Sequence, residues 1–370
     1  MKVAVVTHYY APHVGGIETV AREQAHRLAE RGWEVHVFTS RLRGDDDPEQ
    51  DGAVVVHRYR ALNWFESAFR VPVPVPSPRM MVDLRAADAN VFLVHGHTYA
   101  SSFYAAAAAR LTKTPLVLLQ HSPWVDYPQP LAALEYVADH TLGRFLFTTA
   151  RQTICVSEHT ARYVNSISAT TKIEVIYSGV DTTRFCPTPP RACPQRVRVT
   201  TLRRLVPRQG VDTLVRAWMF SGLGAVADLV IGGTGPEERS LQSLAEEDKS
   251  IRFTGRVDEG DLVEFYQNTD LFVLPSTSGE GFGLVAAEAL ASGRPVLATM
   301  AGGPAELVRN REDGLLVAAG DMEALAEGLV ELVLNHELRV RLSKAAARRT
   351  LGWGHSIDEL ELVLHSAAKR

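Results

Sequence analysis

Two glutamates in one glycine-rich segment have the side chains and the spacing to bind hydroxyl groups of an extended ligand. Glu280 and Glu288 lie in segment 275–296, with seven residues between them. Glu280 is expected at or just before the start of a helix, where the helix dipole favours a negative charge. Glu288 follows about two turns later among apolar residues, where a buried carboxylate needs hydrogen-bond donors. A ribose diol supplies two donors, so the pair predicts a site for sugar hydroxyls, with loop N–H groups on phosphates between them.

Three further loops, each directly after a predicted strand, have residues suited to phosphate. Gly15 and Gly16 allow backbone N–H groups to approach a ligand at the start of a helix. Segment 202–210 carries three arginines beside a helix start, which is unfavourable unless an anion is bound there. The loop around Gly233 is half of a dinucleotide fingerprint. Tight turns and a solvated basic loop remain the alternative interpretations.

Three histidines follow two successive predicted strands and could converge. His95 and His97 follow one strand and His121 ends the next. A zinc site would need a third ligand of known spacing. We therefore expect hydrogen-bonded histidines that face a ligand, and no metal site.

The composition limits the class of protein. The chain has 370 residues, 46% of them apolar and 22% charged, with a net charge of −4. These values argue against disorder and against a basic nucleic-acid binder. The apolar runs are too short for a membrane-spanning helix, and the first apolar run is interpreted as a strand instead of a signal peptide. Three cysteines, Cys155, Cys186 and Cys193, fit a reducing cytoplasm.

Short β-branched runs alternate with helical patterns along the whole chain, which predicts parallel sheets built from strand–helix–strand units. Four prolines between 186 and 194 interrupt this alternation and indicate a linker. The expected fold class is α/β, with two doubly wound, Rossmann-like domains that face each other across a cleft. The predicted strands are 3–6, 35–38, 54–59, 91–94, 116–119, 153–156, 172–176, 197–201, 229–231, 251–253, 271–274, 295–298 and 315–317.

The sequence resembles the retaining GT-B glycosyltransferases of family GT4. The segment Glu-Gly-Phe-Gly-Leu-Val-x-x-Glu-Ala at 280–289 looks like the signature of that family. Gly15-Gly16-Ile17-Glu18 and His121 are similar to its first loop and its acceptor-side histidine, and the similarity spans essentially the whole chain. Further matching segments are 156–158, 178–181, 233–236, 255–257 and 270–276.

The resemblance implies a role for each matching residue. His121, Glu280 and Arg204 would be catalytic: near the reacting sugar, on the donor sugar hydroxyls, and on the departing diphosphate, respectively. Glu288 would hold the ribose, and the backbone near Val257 would bind the base. The residues expected to bind the donor are Gly15, Gly16, Arg208, Gln209, Gly233, Val257, Gly281, Phe282, Gly283, Leu284 and Glu288.

The resemblance also implies the reaction and the domain plan. A hexosyl unit would pass from a nucleotide-diphosphate sugar to an acceptor hydroxyl with retained configuration, and with no cofactor or metal. Residues 1–187 would bind the acceptor, 188–195 would form a hinge, and 196–350 would bind the donor. The helix after 350 (351–370) would pack back on the first domain. The donor is expected to be a UDP-sugar, with GDP-mannose next.

Two positions depart from the family pattern in segment 202–210, the arginine loop. The family has a lysine where this chain has Gln209, and a glycine where it has Arg203. The loss of one charge-assisted hydrogen bond costs roughly 1.5–3 kcal/mol, or about 10- to 100-fold in binding. Either this loop binds the diphosphate more weakly, as a weakened diphosphate clamp, or Arg208 or Arg203 takes over the function of the missing lysine.

Residues 58–85 combine arginines with large apolar side chains, a pattern that fits anionic lipid headgroups. A glycan or lipid-linked acceptor in cell-envelope, polysaccharide or glycolipid synthesis is therefore expected, with a cytoplasmic enzyme peripheral on the inner face of the membrane. An ordinary acceptor loop for a soluble sugar is the alternative. A catalytically degenerate protein that binds sugar nucleotide or a partner without turnover is the alternative function. Nucleic acid is not an expected partner.

Overall fold

The computed structural model describes residues 1–41, 50–63, 74–124, 129, 131–169, 172–189 and 195–369. The chain forms two compact units, each built on its own mixed α/β core. Unit 1 comprises Met1–Pro123, Tyr127–Ser178 and Gly354–Arg370, and unit 2 comprises Trp124–Asp126 and Gly179–Trp353. The units divide between Ser178 and Gly179, whereas the sequence places the hinge at 188–195, of which residues 190–194 lie outside the described residues.

Unit 1 has a sheet with the strand order β3-β4-β2-β1-β6-β7-β8-β9, and β5 pairs with β4. The pairs of β3 and β5 with β4 are antiparallel, and the other pairs are parallel. The strands are β1 (Lys2–Val6), β2 (Glu34–Arg41), β3 (Gln50–Asp51), β4 (Val54–Leu62), β5 (Val75–Pro76), β6 (Val91–His95), β7 (Leu116–Gln120), β8 (Gln152–Cys155) and β9 (Ile173–Val175).

Helices connect most of these strands, as the alternation of patterns predicts. In the described part of unit 1 they are Gly16–Glu30, Arg79–Ala86, Ala100–Thr112, Leu131–Ala138, Arg144–Thr149 and Glu158–Ile167, with a π-helical turn at Asp139–Gly143.

Unit 2 has a fully parallel sheet with the strand order β12-β11-β10-β13-β14-β15. Of its central strands, β13 is apolar and buried along its whole length because both faces are covered. The strands are β10 (Val197–Leu202), β11 (Ala227–Gly232), β12 (Ile251–Gly255), β13 (Leu271–Leu274), β14 (Val296–Thr299) and β15 (Gly314–Val317). The helices are Val211–Ser221, Glu238–Leu244, Leu262–Gln267, Leu284–Ala291, Pro304–Leu307, Met322–Leu334 and His336–Ala346, with 3-10 turns at Pro207–Gln209 and Leu223–Ala225.

The two sheets, fully parallel in unit 2 and mainly parallel in unit 1, confirm the predicted α/β fold class. One local expectation was wrong. The helix that carries Glu288 begins at Leu284, so Glu280 precedes it by a full turn of loop.

The helix Trp353–Ala368 belongs to unit 1 from Gly354 onward. Glu361 accepts hydrogen bonds from Arg31 Nη1 and from Trp33 Nε1, both at 2.9 Å. Arg31 Nη2 also lies 2.6 Å from a carboxylate oxygen of Asp358. These contacts attach the helix to the end of helix Gly16–Glu30 and the residues that follow it.

Candidate functional site

A buried ion pair lies where β10 and its neighbour β13 end. Arg203 follows β10, and its Nη2 donates to Ser276 Oγ at 2.9 Å and to the carboxylate of Glu280. The Ser276 hydroxyl donates to the same carboxylate oxygen at 3.1 Å. Burial alone raises the pKa of Glu280, but the charge and hydrogen bond of Arg203 outweigh it and hold the pKa below its ordinary value. Glu280 is therefore a carboxylate at neutral pH.

The backbone on both sides of Glu280 is fixed by the loop that follows β14. Glu280 N–H donates to Ala301 O at 3.3 Å, and Gly303 N–H donates to Glu280 O at 3.0 Å. A Cβ at Gly303 would lie 2.0 Å from Gly281 O, so only glycine allows this approach. The loop with Gly281, Phe282 and Gly283 is thus held between two strand ends. Gly283, with φ +89°, then starts helix Leu284–Ala291.

Glu288 is buried on that helix, 8% exposed, and accepts a hydrogen bond from the hydroxyl of Tyr266 at 2.7 Å. Burial raises the pKa of Glu288 to about 7, and the Tyr266 hydrogen bond and the charge of Arg184 oppose this rise without cancelling it. The two glutamates of the signature therefore differ in charge at pH 6, since Glu280 is ionised and Glu288 is largely protonated.

The arginines of the arginine loop lie in different surroundings. Arg204 is exposed, and within the described residues no ion pair joins it to another side chain. Arg208 Nη1 donates to Gly279 O at 3.3 Å, and its carbonyl accepts from Thr277 N at 2.9 Å. Gln209 is 8% exposed, so the neutral amide at the lysine position lies inside the fold.

The other predicted donor-binding positions of unit 2 lie at the ends of β11 and β12. Gly233 has φ +113°, and a Cβ there would lie 1.8 Å from Arg203 O. Its N–H donates to Gly255 O at 2.7 Å. Val257 follows β12, is partly buried, and would lie 3.1 Å from a Cβ at Gly232. The carboxyl ends of β10, β11, β12 and β13 thus carry most of the predicted donor site, as expected for a parallel sheet.

In unit 1, Gly15 and Gly16 open the first helix beside a buried carboxylate. A Cβ at Gly15 would lie 2.3 Å from Glu18 Oε2, whereas a Cβ at Gly16 would meet nothing within 4 Å. His13 Nδ1 lies 3.0 Å and His8 Nε2 3.3 Å from Glu18 Oε1. Burial raises the pKa of Glu18, but the two histidines outweigh it, so the pKa lies below its ordinary value.

His121 and His95 form a buried pair, with His95 Nδ1 and His121 Nε2 joined at 2.9 Å. Burial lowers the pKa of His95 to about 3 and that of His121 well below its ordinary value, so both rings are neutral at pH 7. His97 points elsewhere and bonds to Gln120 and Asp139 at 3.0 and 2.8 Å. Among the described residues no group of three metal-binding side chains is present.

Sequence reasoning missed three side chains that contact the two glutamates. Tyr266 lies on a segment with no chemical motif, and Ser276 lies in the signature segment but was given no role. Arg203 was noticed as a departure from the family pattern, but its bond to Glu280 was not foreseen. An arginine at a position that is usually glycine was the available signal.

Two family descriptions match consecutive parts of the chain. "Glycosyltransferase Family 4" matches residues 14–184, and "Glycosyl transferases group 1" matches residues 194–349. A GDP-mannose-dependent alpha-(1-6)-phosphatidylinositol monomannoside mannosyltransferase of Mycobacterium tuberculosis is 30% identical over 93% of this chain and 92% of its own length. A GDP-mannose-dependent alpha-mannosyltransferase of the same species is 32% identical over 97% and 95%.

The chain belongs to glycosyltransferase family 4. This family 4 glycosyltransferase is also similar to a solved structure, sucrose-phosphate synthase from Thermosynechococcus elongatus, with a TM-score of 0.84, 21% identity, and coverage of 99% of this chain and 98% of the other. At that identity the likeness shows the fold, which is GT-B. The family and fold expected from the Glu280–Glu288 signature are confirmed.

The roles given to individual residues of the glycosyltransferase stay predictions. The structure places Arg204, Arg208, Gln209, Gly233, Val257 and residues 280–288 in unit 2, and Gly15, Gly16 and His121 in unit 1. Within the described residues, no helix is both long and apolar enough to cross a bilayer. Most of segment 58–85 is described, but its central residues 64–73 lie outside the described residues.

Proposed function

We propose that this glycosyltransferase moves a mannosyl unit from GDP-mannose to a hydroxyl group of a glycan or lipid-linked acceptor, with retention of configuration and without a metal ion. The sequence alone favours a UDP-sugar with GDP-mannose next. The names of the two Mycobacterium tuberculosis relatives favour GDP-mannose, so this donor is placed first and UDP-sugars second.

The buried Glu288 carboxyl is the observation that carries the donor assignment. Among the described residues it has one hydrogen-bond donor, Tyr266, in surroundings that raise its pKa to about 7. A carboxylate in such a place is stabilised by further donors, and the two hydroxyls of a ribose supply them. Glu280, one loop away on the same segment, offers its second oxygen to the sugar hydroxyls.

In the proposed reaction the acceptor hydroxyl attacks the anomeric carbon on the face from which the diphosphate leaves. The bond from that carbon to the diphosphate oxygen breaks, a new bond to the acceptor oxygen forms, and a phosphate oxygen takes the acceptor proton. Arg204, Arg208 and the loop N–H groups stabilise the charge on the leaving diphosphate. His121 is assigned to the acceptor side, where its neutral ring can exchange hydrogen bonds with a sugar hydroxyl.

A thermal-shift panel with GDP, UDP, ADP and their sugars, repeated in EDTA, tests the donor site. A ligand that binds the folded state raises the melting temperature by mass action. We expect the largest shift with GDP or GDP-mannose, unchanged by EDTA. A larger shift with UDP would reverse the order of donors, and a shift abolished by EDTA would contradict the metal-free site.

Transfer itself is measured with GDP-mannose and phosphatidylinositol vesicles, and the anomeric configuration of the product is determined by NMR. Inverted configuration would contradict retention. Donor binding without turnover on glycan or lipid acceptors would favour the alternative, a catalytically degenerate binding protein. Gln209, the neutral and buried residue at the lysine position, is the observation that favours this alternative.

We also propose that segment 58–85 touches anionic lipid headgroups. In its described part Leu62 and Val82 are 70% and 61% exposed, and Arg79 is exposed as well. Co-sedimentation with phosphatidylglycerol vesicles at low salt is expected, and it should weaken when Leu62 and Val82 are both changed to Asn. Leu334→Asn is the matched control, because Leu334 is 63% exposed but lies in unit 2. Equal vesicle binding by the unmodified protein, the Leu62/Val82 double variant and Leu334→Asn would contradict this proposal. No vesicle binding by the unmodified protein would contradict it as well.

A further inference from the structure

Arg203 is a buried cation at the centre of the predicted donor site. Its side chain is 5% exposed and that of Glu280 is 16% exposed. One nitrogen, Nη2, donates to both Ser276 and Glu280. Its Nε is buried, and none of the described residues accepts a hydrogen bond from it. The guanidinium therefore has N–H groups to give to a ligand after it has bound the glutamate.

The backbone of Arg203 is fixed by the neighbouring strand end. Arg203 N–H donates to Gly232 O at 3.0 Å, and the carbonyl of Arg203 lies against Gly233 so closely that a Cβ there would be 1.8 Å away. Its side chain then reaches across to the segment that follows β13. The Arg203 residue is thus fixed at its backbone and at Nη2, and its rigid planar guanidinium is suited to the oxygens of a phosphate group.

The electrostatics of the site also require a cation here. A sugar diphosphate carries negative charge, and the ionised Glu280 would repel it unless a positive charge compensated the carboxylate. Gln209 is buried and neutral, Arg208 donates to the Gly279 carbonyl, and Arg204 is exposed. Among these residues, Arg203 is the cation in direct contact with Glu280.

We propose that Arg203 is a donor-binding residue of this chain: it holds the Glu280 carboxylate for the donor sugar and gives its remaining N–H groups to the diphosphate, in place of the lysine that Gln209 replaces. The inference rests on the proposed function, because it takes the ligand to be a nucleotide-diphosphate sugar. It assigns to one side chain both the neutralisation of Glu280 and part of the leaving-group contact.

The test compares variants in a Glu280→Gln background, because removing one partner of a buried ion pair leaves the other charge uncompensated. Addition of Arg203→Gln to Glu280→Gln should weaken GDP binding by about 10- to 100-fold. Guanosine has no phosphate, so its affinity should be unchanged. Arg252→Gln is the matched control, since Arg252 is a mostly exposed arginine of unit 2 paired with Asp228.

A second variant separates a donor-binding role from a structural one. Gln209→Lys, added to Arg203→Gln, restores a cation to the loop and should recover most of the lost GDP affinity. The inference is overturned if Arg203→Gln leaves GDP affinity within about twofold, if guanosine binding falls equally, or if Gln209→Lys rescues nothing. UDP is measured in parallel with GDP. If the unmodified protein binds neither, the proposed function fails. Equal GDP binding by the Glu280→Gln protein with and without Arg203→Gln overturns this inference alone.

Discussion

The two glutamates of the signature segment show how neighbouring side chains give one residue type two different charge states. Glu280 faces a guanidinium and has a lowered pKa, whereas Glu288 faces a tyrosine hydroxyl and has a pKa raised to about 7. Glu288 is buried and the Glu280 side chain is only 16% exposed, so burial alone does not explain the difference. The partner decides the sign, because a full positive charge outweighs desolvation and a neutral hydroxyl does not.

The raised pKa of Glu288 predicts that donor binding depends on pH. The pKa of Glu288 is about 7 in the folded protein, above its value in the unfolded chain. Protonated Glu288 therefore contributes to folding stability below the unfolded pKa, and this contribution is lost as pH rises through about 7. Ribose hydroxyls donate to the carboxylate, so they bind the charged form. Affinity for GDP-mannose, measured by calorimetry, should therefore rise about tenfold from pH 6 to pH 8.

Two variants check that Glu288 is the titrating group. Glu288→Gln should bind the donor more weakly and with no dependence on pH in this range. Tyr266→Phe removes the hydrogen bond that lowers the pKa, so the midpoint of the pH profile should move upward. A pH profile that survives in Glu288→Gln would assign the titration to another group.

The site could be predicted from the sequence only where its residues are close together along the chain. The Glu280–Glu288 spacing and the arginines of 203–208 are local patterns, and the structure brings them to adjacent strand ends. Tyr266 lies on another helix, and its contact depends on the order of strands in the sheet. The sequence carried no sign of that contact.

At the scale of elements, a close contact between two loops requires glycine at Gly210. Gly210 has φ +68°, and a Cβ there would lie 1.9 Å from Pro275 O. This approach brings the arginine loop against the segment that leads to Glu280. The loop that carries the predicted diphosphate clamp and the loop that carries the predicted sugar contact therefore share one rigid junction.

A matched pair of substitutions isolates the effect of that junction. Gly222 has nearly the same backbone conformation, φ +66°, but a Cβ there would meet nothing within 4 Å. Gly222→Ala should cost about 1–2 kcal/mol of unfolding free energy through the left-handed backbone alone. Gly210→Ala should cost a further 1–3 kcal/mol, roughly, because the loops must separate. Denaturant midpoints measure both.

Equal midpoints for the two glycine variants would contradict a close contact at Gly210. A variant of Gly210 that keeps its stability but loses GDP binding would show that the junction positions the site without contributing to the fold.

The strands that are easiest to predict are mostly apolar runs buried on both faces, such as β1, β6, β7 and β13. The two-residue strands β3 and β5 could not be predicted, since they are defined by their antiparallel pairing with β4 and not by an apolar run. The π-helical turn Asp139–Gly143 was missed too. Its position depends on the buried bonds of Asp139 to His97 and Tyr163, which join residues far apart in the chain.

At the scale of the whole molecule, the chain passes from unit 1 to unit 2 at Gly179 and back at Gly354. Inside unit 2 the two crossing segments run side by side, and Val180 N–H donates to Leu351 O at 2.7 Å. A Cβ at Gly179 would lie 2.5 Å from Trp353 Cα, so the segments are in direct contact. The two ends of the stretch Gly179–Trp353 therefore lie at one place on unit 2.

The attachment of helix Trp353–Ala368 predicts a pattern of hydrogen exchange. Leu360 and Leu364 are fully buried, and Glu361 is bonded to Arg31 and Trp33. Amides of residues 357–366 should therefore exchange together with those of β1 and β2 at increasing denaturant. Glu361→Ala should accelerate exchange in this helix, whereas Glu359→Ala, which removes only an exposed pair with His355, should not.

If the helix instead exchanged together with unit 2, its assignment to unit 1 would be wrong. Equal exchange rates of the helix amides in Glu361→Ala and Glu359→Ala would show that apolar contacts alone hold the helix.

The return of the chain to unit 1 also determines the order in which the protein can be completed during synthesis. Unit 1 contains residues from both sides of the stretch 179–353, so the ribosome must translate that stretch before it makes helix Trp353–Ala368, whose Glu361 bonds to Arg31 and Trp33. At roughly 5–20 residues per second this takes on the order of 10–35 seconds. During that interval the nascent unit 1 lacks the hydrogen bonds of Arg31 and Trp33 to Glu361. Unit 2 can finish folding first, although it is translated second.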